Sequence, residues 1–454
     1  RDLRMSRGLG DVYKRQGCKN TVLLLASLVF YAYGEPRLVL LMLLSVLSGY
    51  VHGLLIERFR GTRAGKAFLV SSVCFSLAPL LLFKYADFFI GNLNALGASL
   101  PLLKLTLPIG ISFYTFQILS YTVDVARGTA KAQRNFIDLA TYISLFPQLI
   151  AGPIVRYTDV ATALHARSHS AEAVGSGALR FTIGLGKKVL LANLLGELCA
   201  ALKTAETSVL GSWGYAAALC LQIYFDFSGY SDMAIGLGTM LGFHFPENFN
   251  YPFISQSATE FWRRWHITLG SWFRDYVYIP LGGSRAGAWK QVRNILIVWC
   301  LTGFWHGASW NFVAWGLFFG VLLIAEKLLL GHALEKMPRV LRHLYLLLAA
   351  LVSFLIFDAA SLPEAGRAIA GLLGGAPLTS AAGLYSLKSY FVILLLAALG
   401  ATPLPKAAVA RISATRAGGK LVSILTPLFM AALLLVCTAY LVDGSFNPFL
   451  YFRF

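Results

Sequence analysis

Long apolar runs separated by short polar connections dominate the pattern along this chain. A helix needs about 20 apolar residues to cross the hydrocarbon core of a bilayer. Runs of roughly that kind occupy residues 21–56, 68–85, 105–121, 136–154, 178–198, 213–243, 295–330, 343–357, 387–401 and 421–442. The pattern predicts an all-α, polytopic membrane protein with about nine to twelve spans.

Prolines and glycines interrupt several of these runs. Pro36 divides the first run, Pro108, Pro147 and Pro153 fall in two later ones, and residues 229–242 are rich in glycine. We expect helices to kink or break at these positions. Irregular backbone at membrane depth is tolerated only where protein covers it or where it lines a wet cavity. The breaks therefore favour short re-entrant helices around an internal chamber over a simple lipid-facing bundle.

Composition supports the membrane class and indicates the orientation. Hydrophobic residues make up 57% of the chain and charged residues 13%, and the mean hydropathy is +0.66. The 39 Lys and Arg outnumber the 21 Asp and Glu, and they cluster at residues 58–66, 127–134, 263–293 and 327–342. Such clusters mark cytoplasmic connections, although a single cation could instead recognise an anionic partner. No basic domain lies outside the apolar runs, so we expect a lipid bilayer and no nucleic acid as partner.

The six cysteines give no sign of a metal or disulfide framework. They are scattered, mostly in or beside apolar runs, without CxxC or Cys/His spacing. We interpret them as small core residues and predict no metal site.

Residues 1–16 differ from the rest of the chain. They contain five basic residues and two aspartates but no apolar run, so they lack the hydrophobic region of a signal peptide. We expect a non-native or disordered basic segment here, followed by a single membrane domain over residues 17–454.

Histidine supplies the first candidate for chemistry. The chain has eight histidines, and His306 lies inside an apolar run, followed by the small and polar residues 307–311. An ionisable side chain in the membrane suggests function, and a neutral imidazole can take a proton from an attacking hydroxyl as general base. Asn311 is a candidate substrate-binding residue in the same segment. The alternative for His306 is a core histidine hydrogen-bonded across helices.

A second histidine, His266, ends a stretch in which two Trp flank two Arg, residues 261–266. This pattern predicts an interfacial helix with indoles at headgroup level and guanidinium groups in water. Arg263, Arg264 and Arg274 could also receive an anionic, phosphate-rich acyl donor. Membrane anchoring alone explains the arginines about as well, and His266 could simply cap the helix.

Two carboxylates, Asp226 and Asp232, lie within the apolar run 213–243. A charge at mid-membrane costs roughly 2.5–3.5 kcal/mol on insertion scales, so each should face a cavity or a partner. Their spacing does not place them on one helical face, which argues against a paired-carboxylate acid/base site. Structural pairing with Arg or Tyr is one interpretation of these aspartates, and a role in catalysis or in substrate or donor binding is the other.

Nine polar and aromatic segments occur together and in order. They are residues 107–117, 145–154, 184–189, 222–238, 245–252, 261–266, 272–276, 278–283 and 301–307. Together they closely resemble the membrane-bound O-acyltransferase (MBOAT) family, and most of all its bacterial alginate O-acetylase branch. The resemblance implies a ring of transmembrane helices, with short re-entrant and interfacial helices, around a thinned central chamber.

The same resemblance assigns site residues. It carries the family's invariant histidine onto His306 and the second family histidine onto His266. The aromatic tail, residues 446–454, resembles a terminal tyrosine motif of cell-envelope acylation systems, which implies that Tyr451 carries the acyl group covalently. An interfacial aromatic belt is the alternative for the tail. Family members usually begin with one more hydrophobic helix where residues 1–16 stand, so we expect the native start to be missing.

The resemblance implies an O-acetyltransferase of the bacterial inner membrane. Acetyl would pass from a cytoplasmic thioester, acetyl-CoA or an acyl carrier, to an exported polysaccharide such as alginate or to peptidoglycan, with His306 as general base. An extracytoplasmic SGNH-type acetyltransferase would be the partner. One alternative is D-alanyl transfer to teichoic acid by the same fold. The other is a transporter or channel, which predicts repeated halves that the sequence does not display.

Overall fold

The structure is a computed structural model that describes residues 2–205, 207–285 and 287–444, with side chains from residue 18 onward. Within these residues the regular elements are helices, and no strand occurs, which confirms the all-α class. The chain divides into two compact units, Arg1–Ala178 with Ala234–Pro246, and Leu179–Met233 with Glu247–Phe454. The single domain from residue 17 and the non-native character of residues 1–16 stay predictions.

The first unit contains eight helices in its described part. They are Asp2–Gly34 (α1), Val39–Arg58 (α2), Arg63–Leu80 (α3), Ala86–Ala95 (α4), Ile111–Arg127 (α5), Phe136–Ser144 (α6), Phe146–Leu149 (α7) and Tyr157–His165 (α8). A π-helical turn, Leu81–Tyr85, joins α3 to α4. Helices α2 and α5 approach closely, because a Cβ on Gly53 would lie 2.6 Å from the hydroxyl oxygen of Tyr121.

Two helices, Ala171–Gly186 (α9) and Val209–Met240 (α11), contribute residues to both units. The remaining helices belong to the second unit. They are Asn193–Thr204 (α10), Ala258–Arg264 (α12), Ile267–Phe273 (α13), Ala288–His306 (α14), Trp310–Ala325 (α15), Gly331–Lys336 (α16), Arg339–Asp358 (α17), Leu362–Leu373 (α18), Ala381–Ser389 (α19), Phe391–Gly400 (α20), Leu404–Ser413 (α21) and Arg416–Asp443 (α22). Shorter turns occupy Lys187–Ala192, Pro252–Ile254, Arg274–Tyr278 and Glu326–Leu330.

Five helical segments in the described residues are long and apolar enough to cross a membrane. They are Val39–Arg58, Arg63–Ala95, Trp310–Lys336, Arg339–Asp358 and Arg416–Asp443. A sixth is possible if α19 and α20, which meet at a 55° bend, form one broken span. The chain is therefore a multi-pass membrane protein. The described helices that are long and apolar enough number fewer than the predicted nine to twelve spans. Some of the apolar runs break into short helices, as at Leu145 between α6 and α7.

The proline interruptions are confirmed. Helix α1 ends at Gly34 and α2 begins at Val39, on either side of Pro36. The backbone around Pro108 and Pro153 is not helical, and Pro147 lies in the first turn of α7, where a missing N–H is harmless. The central chamber stays a prediction.

The predicted break in the glycine-rich stretch is wrong. Helix α11 runs without interruption for 32 residues, Val209–Met240. Its Gly229 instead meets Gly184 of α9: a Cβ on Gly184 would lie 2.6 Å from the Gly229 carbonyl oxygen, and a Cβ on Gly229 would lie 2.8 Å from the Gly184 carbonyl oxygen. Small residues let two helix backbones approach closely in a membrane. These glycines serve helix packing and not helix breaking.

A methyl group at Gly184 should therefore destabilise the protein. We expect Gly184→Ala to lower the free energy of unfolding by roughly 1–3 kcal/mol, because the new Cβ overpacks against backbone that cannot rotate away. Gly175 of the same helix is the matched control, since nothing lies within 4 Å of a Cβ there. Thermal unfolding in detergent should show a lower midpoint for Gly184→Ala only. Equal midpoints for the two variants would contradict this packing.

Candidate functional site

His306 is the last residue of α14, at the turn into α15. The two helices pack tightly, since a Cβ on Gly303 would meet the Phe312 carbonyl and would lie 3.2 Å from the Cα of Gly316. This tight hairpin buries His306, which is 7% exposed. The close backbone approach near His306 is made by Gly303 and Gly316, whereas a Cβ on Gly307 would meet the ring of Phe312. The predicted role of residues 307–311 in admitting a ligand stays a prediction.

Aromatic rings enclose the His306 imidazole. The ring centroids of Trp305 and Trp315 both lie 5.0 Å from the imidazole centroid, and that of Phe357 lies 5.2 Å away. All three rings stand nearly perpendicular to the imidazole, at 76–84°, a favoured geometry for aromatic pairs. The rings fix the imidazole plane and shield it from bulk water.

His266 does not lie on an interfacial helix. Helix α12 ends at Arg264 and α13 begins at Ile267, and His266 sits in the break with φ 44° and ψ 52°. A left-handed backbone costs a non-glycine residue of order 1–3 kcal/mol. The side chain is 1% exposed and pairs with Asn248, and the residue at the C-terminal cap of α12 is Trp265. Both the interfacial position and the capping alternative are therefore wrong for His266.

The imidazole of His266 packs near Trp305. Its centroid lies 4.7 Å from the ring of Phe227, which is perpendicular to it, and 6.3 Å from the ring of Trp305. Trp305 thus contacts the rings of both candidate histidines. Burial lowers the pKa of His266 to about 3, because desolvation disfavours the cation. The ring is therefore neutral at physiological pH.

The tryptophans of residues 261–266 do not line a membrane interface. Trp265 is 5% exposed and stacks on Phe261, with centroids 5.5 Å apart. Trp262 packs edge-on against Trp299 at 4.5 Å and Phe319 at 4.9 Å. The prediction of indoles at headgroup level is wrong because these rings form part of the core of the second unit.

The three candidate arginines have different surroundings. Arg263 is exposed. The Nε of Arg264 lies 3.0 Å from a carboxylate oxygen of Glu260, and the Nε of Arg274 lies 2.7 Å from one of Asp275. A carboxylate partner lowers the capacity of Arg264 and Arg274 for an anionic ligand, and donor binding by any of the three arginines stays a prediction.

Asp226 and Asp232 both face cations. Asp226 pairs with Lys188, and both side chains are buried. Asp232 accepts hydrogen bonds from Arg180, at 2.9 Å, and from Lys187, at 2.6 Å. The expectation that each carboxylate has a partner is confirmed. The structure places the two aspartates in ion pairs with α9 and the turn that follows it.

Asn311 lies in the first turn of α15 and donates hydrogen bonds to the C-terminus of α17. Its Nδ2 donates to the carbonyl oxygens of Phe357, at 3.4 Å, and Ala359, at 2.7 Å, at the end of α17. The last carbonyls of a helix lack partners within the helix, so this amide supplies one. The geometry explains Asn311 as a structural residue, while its role with substrate stays a prediction.

Sequence reasoning missed two groups of polar residues. Asn248, 1% exposed, lies 3.0 Å from Nδ1 of His266, and Arg180 bridges Asp232 and Glu247. Both groups left a signal in the sequence. Asn248 is a polar residue in an aromatic motif between two prolines, and Arg180 is a basic residue in the apolar run 178–198. Tyr451 lies outside the described residues.

Comparison with known proteins identifies related chains. A sequence profile described as MBOAT, membrane-bound O-acyltransferase family, matches residues 38–362. A probable alginate O-acetylase from Azotobacter vinelandii is 39% identical, and the match covers 96% of this chain and 95% of the relative. A similarly named protein from Pseudomonas aeruginosa is 42% identical over 77% of this chain and 68% of the relative.

Other relatives carry different names. A peptidoglycan O-acetyltransferase from Helicobacter pylori is 33% identical over 78% of this chain and 73% of its own length. A teichoic acid D-alanyltransferase from Bacillus subtilis is 30% identical over 47% of this chain and 58% of its own length. These relatives are named for acylation of alginate, peptidoglycan or teichoic acid.

Proposed function

Since the chain belongs to the membrane-bound O-acyltransferase family, we propose that it moves acetyl from a cytoplasmic thioester across the membrane for O-acetylation of an exported polysaccharide. Membership makes the chain an acyltransferase, so the transporter alternative is not retained. Acetyl-CoA is the proposed donor, and the bacterial inner membrane is the proposed location. The similarity to alginate O-acetylases over nearly the whole chain favours acetyl as cargo.

The observation that carries this proposal is the buried, ring-enclosed imidazole of His306 at the turn between α14 and α15. We propose that it accepts the proton of an attacking hydroxyl while the hydroxyl oxygen forms a bond to the thioester carbonyl carbon. The carbon–sulfur bond then breaks, and the imidazolium returns the proton to the leaving thiolate. A water-poor setting strengthens the electrostatic stabilisation of the oxyanion.

Other predicted residues take supporting roles. His266 would position or assist, since Trp305 contacts both imidazoles. Arg263 is exposed and would meet the phosphates of the donor. The phenol of Tyr451 would be one attacking hydroxyl, forming an acetyl ester that an extracytoplasmic SGNH-type partner then passes to the polysaccharide.

D-alanyl transfer to teichoic acid is the second candidate. The similarity to a teichoic acid D-alanyltransferase over 47% of this chain favours it. The same acyl chemistry would serve, because both donors are thioesters and both products are esters.

Donor preference distinguishes the two candidates. We expect purified protein in liposomes to release free thiol from acetyl-CoA. With radiolabelled acetyl-CoA the protein should acquire label in an alkali-labile ester, and with radiolabelled D-alanyl carrier protein it should acquire none. Tyr451→Phe should lose the ester on the protein but keep the fold, as judged by thermal unfolding. Labelling from the D-alanyl carrier alone would overturn the choice of acetyl.

A further inference from the structure

Asn248 makes a set of hydrogen bonds that fixes the orientation of its side-chain amide. Its Oδ1 lies 2.8 Å from the hydroxyl of Thr268 and accepts a longer bond, 3.4 Å, from the backbone N–H of Thr268. Its Nδ2 lies 3.1 Å from the hydroxyl oxygen of Ser231. Because a backbone N–H can only donate, the atom facing Thr268 must be the amide oxygen.

The same oxygen defines the tautomer of His266. Oδ1 of Asn248 lies 3.0 Å from Nδ1 of His266. Since a carbonyl oxygen only accepts, Nδ1 must carry the ring proton, and the neutral ring then presents a lone pair at Nε2. In the described part of the chain that Nε2 is buried without a hydrogen-bond partner. Nδ1 of the ring is therefore hydrogen-bonded, and Nε2 is an acceptor that a substrate group can use.

An ion-paired clamp holds Asn248 itself. Arg180 donates to Asp232 at 2.9 Å and to Glu247 at 2.6 Å. These two carboxylates are the chain neighbours of Ser231 and Asn248, which bond to each other. Lys187 adds a second cation on Asp232, at 2.6 Å. One guanidinium therefore anchors both chain segments of the Ser231–Asn248 contact, helix α11 and the segment that contains Asn248. The amide of Asn248 is thereby held in place against His266.

We propose that Asn248 is a positioning residue for acyl transfer: it holds His266 in the Nδ1–H tautomer, so that Nε2 accepts a hydrogen bond from an O–H or N–H group of a substrate. The donor's amide N–H and the acceptor's hydroxyl share this chemistry. The proposal deepens the function given above and rests on it. A residue of this kind acts through the histidine and does not touch the reacting atoms.

Two substitutions at Asn248 test the proposal. Asn248→Leu removes the oxygen that faces Nδ1, and we expect kcat for acetyl transfer to fall roughly 10–100-fold, the usual range for a lost orienting partner. Asn248→Asp keeps an acceptor at that point and should recover most of the loss. If the partner of Nε2 is the donor's amide, the KM for acetyl-CoA rises in Asn248→Leu; if it is the acceptor's hydroxyl, only kcat falls.

Asn294→Leu is the matched control. Asn294 is also fully buried, and its amide ties two backbone carbonyls, those of Leu281 and Gly283. Asn294→Leu should lower the free energy of unfolding without changing kcat per folded molecule. Equal loss of kcat in Asn248→Leu and Asn294→Leu would reduce Asn248 to a structural residue and overturn the proposal.

The tautomer can be observed without any turnover. Solid-state NMR of histidine nitrogens, with the His266 signal assigned by its loss in His266→Asn, should show a protonated Nδ1 and a bare Nε2 in the wild-type protein. The Asn248→Leu spectrum should shift towards the other tautomer. A wild-type ring protonated at Nε2 overturns the inference even if Asn248→Leu fails to fold. A wild-type protein that transfers no acetyl would instead contradict the proposed function.

Discussion

Replacement of His306 by alanine or glutamine is expected to abolish acetyl transfer while the protein stays folded. A positioned general base contributes roughly a hundredfold to ten-thousandfold to rate, and the proposed chemistry offers no second base at that turn. Glutamine keeps polarity and size but cannot take up a proton at physiological pH. The rate of thiol release from acetyl-CoA by purified variants in liposomes measures the loss.

A control separates loss of the base from loss of any histidine. The side chain of His332 is 79% exposed and lies beside Glu335 at the surface, so His332→Ala should retain the wild-type rate. Thermal unfolding should give similar midpoints for His306→Gln and the wild type. A folded His306→Gln protein with a rate within about threefold of wild type would exclude general base catalysis by His306.

The ion pair of Asp226 with Lys188 should give the largest effect on stability. Asp226→Ala leaves the buried Lys188 ammonium without its carboxylate, and breaking a buried pair typically costs about 3–5 kcal/mol. We therefore expect a strongly reduced yield of folded protein and a low unfolding midpoint. The double variant Lys188→Met/Asp226→Leu removes both charges and should recover much of the stability. The free-energy cost of taking two charged groups out of water disappears together with their attraction.

An exposed pair provides the comparison. Arg134 and Glu57 lie 3.3 Å apart, with 82% of the Arg134 side chain exposed, so Arg134→Ala should cost at most about 1 kcal/mol. Denaturant unfolding in detergent measures all the variants on one scale. If Asp226→Ala proves as stable as Arg134→Ala, or if the double variant is no better than the single one, Asp226 does not act as a buried counter-ion.

Local pattern was enough to predict the class of protein. Apolar runs define helices directly, and the histidine within one such run, His306, is buried. The proline breaks were predictable for the same reason, since proline acts on its own backbone. The membership of the family follows from motifs that lie along the sequence in order.

Long-range geometry was not predictable from pattern. The tryptophans of residues 261–266 were expected at an interface, but their periodicity does not reveal that other rings, such as Trp299, cover them. His266 was expected on a helix, although its left-handed backbone interrupts that helix. The partner of Asp226 lies 38 residues away in sequence. A break was expected at Gly229 because its spatial neighbour, Gly184, belongs to a different helix, α9, and sequence pattern does not show that contact.

The central claim is His306-dependent transfer of acetyl from a cytoplasmic thioester, and labelling of oriented membrane vesicles tests it most directly. Inside-out vesicles from cells producing the wild-type protein, supplied with radiolabelled acetyl-CoA, should accumulate an alkali-labile acetyl ester. Sealed right-side-out vesicles and inside-out vesicles with His306→Gln should not. Equal labelling of wild-type and His306→Gln inside-out vesicles, with both proteins present and folded, would contradict the account.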